Sequence, residues 1–234
     1  MPSYRTYCDS SGTSSKGGKR FIYRLKGSPL FYNLGPQARI EQLQVNTITM
    51  ADGSAEVTGS GLYANTNNGL ICGCKVVGDV VLSATPAGAF VGSNGSTGIL
   101  WASYHIGATS STAASASVGG LAGSNSGVIA SCYNAGKVTG TTTGGITASS
   151  TGTLHNNYYN STLLAAPTFT NANVIGQSTG EMTKQQFVTD LNAGISTWRS
   201  TDTEHGGLNH SDYHAHYYVY QAANYPKLNE TFEP

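Results

Sequence analysis

Three tyrosines, Tyr104, Tyr133 and Tyr158, each follow the same column of a repeating pattern by one residue. Alternate residues of a strand point to opposite faces, so the tyrosines should face outward if that column faces inward. Stacked over adjacent coils they would make a flat amphipathic strip that suits sugar rings through face contact and hydroxyl hydrogen bonds. The alternative is that they stack on one another or lie beneath the C-terminal segment. A second constellation is His210, Asp212, His214 and His216, whose nitrogen and oxygen atoms, four and two residues apart, could hold a divalent metal. No helical pattern fixes that spacing, and the plainer reading is a polar loop.

Enzyme signatures are met in letters only. Gly176-x-Ser178-x-Gly180 spells a nucleophile elbow but has no α/β sheet to carry it. Gly59-x-Gly61-x-x-Ala64 lacks the helix that a dinucleotide fingerprint needs. A polysaccharide-cleaving β-helix would need clustered carboxylates or bases, and between Gly59 and Gly176 the only acid is Asp79. No catalytic residues are assigned.

The elements that must position these residues are repeats. One apolar column is Leu30, Leu62, Phe90, Leu121 and Ile146; a second is Ile40, Ile71, Leu100, Ile129 and Leu154. Gly69, Gly98, Gly127 and Gly152 stand two residues before the second column, and Gly78, Gly107 and Gly136 form another. Apolar runs are short and broken by Gly, Ser, Thr and Asn, with no helical spacing. The fold expected is all-β, a right-handed parallel β-helix of about five coils, with a small C-terminal α/β cap. Asn94, Asn125, Asn134, Asn156 and Asn160 fit its corners, as left-handed residues or side-chain ladders.

The fourth copy, Gly120-Leu121-Ala122-Gly123 followed by Asn125, Gly127, Ile129, Cys132-Tyr133, Gly136 and Val138, resembles the GLUG repeat of bacterial surface proteins. The ending is similar too: Thr179-Gly180-Glu181-Met182, Trp198 and Asn224-Tyr225-Pro226-Lys227-Leu228. The resemblance covers residues 28 to 228 and implies an adhesin-like module at the cell surface, outside the cell, with a glycan or host surface protein as partner. It also suggests an accessory stalk or a fragment of a carbohydrate- or peptide-processing enzyme. A flat ice-binding face around Thr139 to Thr143 is a weaker idea, because the regular Thr-x-Thr ladder is missing.

Composition agrees. Of 234 residues only 10% are charged, with no net charge, where about 25% is usual. Nucleic acid is thereby disfavoured as a partner. No apolar segment follows Met1, so no secretory signal is read, and the chain is expected to be a trimmed part of a longer one. Nothing in the sequence suggests a membrane span or a resident cofactor.

Three parts follow. Residues 1–27 are a basic end segment, with Phe21 to Leu25 as a strand over the first coil; 28–175 are the coils; 176–234 form the cap. In the cap, Thr183-x-x-Gln186 suggests a capping box for a helix running to about Asn192, ended by Gly194 and closing the last coil. Tyr217 to Gln221 reads as a strand packed by Trp198. Cys74 and Cys132 share a column two coils apart, about 9.6 Å, too far for a disulfide. A bridge from Cys8 to Cys72 is left open.

Overall fold

A computed structural model describes residues 20–23, 25, 27–47, 57–201 and 218–228. The chain winds as a parallel β-solenoid of about four turns, with a small helical part near the C-terminus. Chain direction repeats because every coil reuses the same strand positions. In the third coil these are β10 (Val91–Asn94), β11 (Ile99–Trp101), β12 (Tyr104–Ile106), β13 (Thr109–Ser111) and β14 (Ser117–Gly119). Each pairs in parallel with its counterparts in the coils before and after. The longest stack is seven-stranded, from β1 (Arg20–Tyr23) to β22 (Val174–Gln177).

The second apolar column stands in register residue for residue: Ile40, Ile71, Leu100, Ile129 and Leu154 are successive partners. In the first column the pairs Phe31↔Ala64, Ala64↔Val91 and Val91↔Ala122 place Tyr63, and not Leu62, between Leu30 and Phe90. Tyr63 is buried with its ring stacked on that of Phe90, centroids 4.8 Å apart. Leu62 is buried beside it, which is why apolarity alone did not separate the two positions.

The corners have their own column. Gln42, Gly73, Ala102, Ser131 and Asn156 occupy equivalent places between two strands, and all have positive φ, between 45° and 61°. Only one is glycine, so residue type hides a conformation that costs roughly 1–2 kcal/mol in other residues. Coil-to-coil bonds hold it, as when Ala102 N–H donates to Ala130 O at 3.1 Å and Ser131 N–H to His155 O at 2.9 Å. Where coils approach most closely glycine is needed: a Cβ on Gly107, φ 146°, would lie 2.1 Å from Gly78 O.

Asparagines complete the inside. Asn67 Nδ2 donates to Asn94 Oδ1 and Asn94 Nδ2 to Asn125 Oδ1, both at 2.8 Å, and Asn125 Nδ2 to Ser150 Oγ at 3.0 Å. The ladder satisfies polar groups that would otherwise be buried at a cost of about 1–3 kcal/mol each. Asn134 and Asn160 bond their own turns, at Gly136 N and Thr162 N.

The C-terminal segment differs from expectation in three ways. The capping box belongs to Ser178 and Glu181, at the start of α1 (Thr179–Met182), and not to Thr183 and Gln186. The following helix, α2 (Gln185–Thr201), runs through Gly194. That glycine admits the coil: a Cβ there would lie 1.8 Å from Asn156 Nδ2. And α2 does not close the end of the coils. Its Phe187, Val188, Leu191 and Ile195 form a second core with Leu70, Ile99, Trp101 and Val128, which project from the outside of the coils. Leu164 and Phe169 instead join the inner core beyond the last coil. The antiparallel pair β23 (Tyr218–Gln221) and β24 (Asn224–Leu228) lies over the same outer face through Tyr218 and Leu228. Tyr217 and the side chain of Trp198 lie outside the described residues, as does most of the basic segment 1–27.

Candidate functional site

Alternation does turn the tyrosine column out of the coil, but outward is not exposed. Tyr104, Tyr133 and Tyr158 are 1%, 0% and 4% accessible. Tyr104 and Tyr133 stack, and Phe187 meets Tyr133 and Tyr158 edge-on at 5.6 and 5.2 Å. The Tyr133 hydroxyl donates to Pro226 O, and that of Tyr218 to Ser131 O at 2.9 Å. Asn192 fixes the hairpin to the helix, donating to Tyr218 O at 2.9 Å and accepting from Tyr218 N at 2.7 Å. The expectation of an open sugar platform on these rings is therefore corrected. Their faces are occupied by α2 and the hairpin, because the outer sides of β6 (Leu70–Cys72), β11 and β16 (Val128–Ala130) are apolar as well. Those strands read Leu-Ile-Cys, Ile-Leu-Trp and Val-Ile-Ala. Three apolar residues in a row on a strand signal burial on both faces, and that signal was present in the sequence.

His210, Asp212, His214 and His216 lie outside the described residues. Among the described residues no group of three or more His, Cys, Asp or Glu is placed to hold a metal. Cys72, Cys74 and Cys132 are buried free thiols; Cys8, the partner considered for Cys72, lies outside the described residues. Burial pushes Cys74 and Cys132 up to about 12, which removes thiolate reactivity. Their column is a hydrogen-bond rail: Cys74 N–H donates to Ser103 Oγ at 3.1 Å and Cys132 N–H to Asn157 Oδ1 at 3.0 Å. His105 is buried too, its Nε2 3.0 Å from Gly78 O, and burial lowers its pKa.

An open groove lies where α2 leaves the column uncovered. The tyrosine column continues beyond Tyr158 to its partner Ile175 on β22, which is 40% exposed. The neighbouring column, Cys72, Trp101 and Ala130, ends in His155. Between these two column ends and the helix residues Asp190, Ala193 and Gly194 is a groove of about 330 Å³, also lined by Asn156 and Asn173. Asn156, in its left-handed corner, braces it by donating to Asp190 O at 2.9 Å and accepting from the Tyr158 hydroxyl at 2.8 Å. Burial, with the Asp190 carboxylate beside it, pushes Tyr158 up to about 12, so the hydroxyl keeps its proton. Burial also lowers the pKa of His155, which favours the neutral ring.

Of the groove residues the sequence reading singled out Tyr158 for binding and Asn156 as a corner. Carrying the columns one coil further would have found His155 and Ile175. Asp190 carried no signal, because its place depends on where α2 docks. No protein-family model, curated protein or solved structure matches the chain, so the likeness to the GLUG repeat rests on its residues alone.

Proposed function

We propose that the chain is a non-catalytic, adhesin-like module of a bacterial cell surface, part of a longer protein, that holds a glycan or host surface protein without turnover. The observation that supports this most is what the polar groups of the coils do. Asparagines, serines and cysteines bond one coil to the next, and the few charges are dispersed. Arg39 and Glu41 pair on the first coil. Asp79 and Lys137 stand in one column two coils apart, about 9.6 Å. A neutral stack of coils whose polar groups bond one another is suited to presentation and holding, and because the groove brings the titratable side chains His155, Tyr158 and Asp190 together, the absence of turnover is what the experiment must show. No helix among the described residues is long and apolar enough to cross a membrane.

The test is a glycan and mucin binding panel on the intact chain with released products assayed in the same wells. Saturable binding without products supports the reading. Products would overturn it and favour an enzyme fragment, with His210 and His214 as the first substitutions to make.

A further inference from the structure

Resting on that binding-module reading, we infer that the groove formed by His155, Tyr158, Asn173, Ile175 and Asp190 is the ligand site and takes one unit of an uncharged saccharide. The groove combines what a sugar ring requires. Ile175 offers an aliphatic surface for the C–H face. The polar side chains still have bonding capacity. Asp190 Oδ1 accepts from Gln186 Nε2 at 2.8 Å, which leaves its second oxygen, and among the described residues Asn173 bonds through its backbone N–H, to Asn171 Oδ1, while its amide and the His155 ring have no side-chain hydrogen bond. A carboxylate oxygen and an amide are the acceptor and donor pair that vicinal hydroxyls satisfy.

Size and charge narrow the class. About 330 Å³ lies at the lower end of small-ligand pockets, enough for one or two rings and too small for a folded epitope. The charged lining residue is an acid, so sialylated, sulfated and uronic units would meet like charge. The floor is also firm. Asn156 ties the last coil to α2, and Gly194 brings the helix against it, so ordering the site on binding costs little.

The experiment is titration of the intact chain with methyl glycosides of neutral hexoses and N-acetylhexosamines, beside sialic acid and a sulfated hexose. Two variants accompany it: Asn173→Ala, which removes one polar arm at an exposed position, and Ala193→Trp, which fills the groove from an exposed helix position. Thermal unfolding of both variants checks that they fold. The proposal expects a neutral glycoside to bind, Asn173→Ala to weaken it about tenfold, and Ala193→Trp to abolish it, with unfolding midpoints unchanged. Binding that survives in both folded variants would overturn the groove assignment while leaving the module reading intact. Binding of the anionic sugars alone, or of no glycoside in the series, would overturn the saccharide class. If Ala193→Trp does not fold, Asn173→Ala decides.

Discussion

Tyr104 and Tyr133, on adjacent coils, lie ring on ring with centroids 4.9 Å apart and planes 2° from parallel. The chain's own C-terminal segment covers the pair, so the most prominent aromatic feature of the sequence joins two parts of the molecule. Tyr133→Ala should therefore act on stability, at about 3–5 kcal/mol for a large buried aromatic. Tyr133→Phe, which loses only the hydroxyl bond to Pro226 O, should cost about 1 kcal/mol. Urea denaturation of the two variants separates these values. A near-neutral Tyr133→Ala would mean that the C-terminal segment is not seated on the coils.

Ser131 combines two local penalties. Its φ is 51°, and its buried hydroxyl has no hydrogen-bond partner among the described residues. Ser131→Gly relieves both, and should stabilise the chain by roughly 1–2 kcal/mol. A raised denaturation midpoint with an unchanged urea slope is the expected result; a lowered midpoint would show that the side chain contributes packing that outweighs its strain.

Acid should weaken the fold through His105. Burial sets its folded pKa below the ordinary histidine value, whereas an unfolded histidine ionises near pH ~6.5. Above that pH neither state is protonated and nothing is lost. As pH falls through it the unfolded chain takes up the proton first, so stability declines until the folded pKa is reached. Asp79 and the bond to Gly78 O pull the other way but rank below burial. Partly buried His155 shifts in the same direction, also through burial. Stability measured against pH should be level around pH ~7 and fall below ~6.5, with a shallower fall in His105→Gln. An unchanged slope in that variant would assign the effect elsewhere.

Much of the solenoid was legible because its inner face repeats. Ile40, Ile71, Leu100, Ile129 and Leu154 share one angular position, and apolarity is the only property that position demands. The corners were hidden for the opposite reason: a left-handed backbone is held at Gln42, Ala102 and Ser131 by bonds between coils, so residue type did not report it. The groove needed knowledge of where α2 docks. Phe187 and Leu191 showed that the helix has an apolar side, but the choice between the end of the coils and their flank was set by Leu70, Ile99 and Val128. Gly194 misled for a related reason, since a glycine that permits close packing inside a helix is spelled the same way as one that ends it.

The account rests on binding without turnover. The most direct measurement is a calorimetric titration of the intact chain with the strongest ligand from the glycan panel, followed by mass analysis of the recovered ligand. The account predicts a saturable curve with one site per chain and a ligand recovered whole. A ligand shortened or modified after incubation, or no heat of binding with any ligand of the panel, would contradict it.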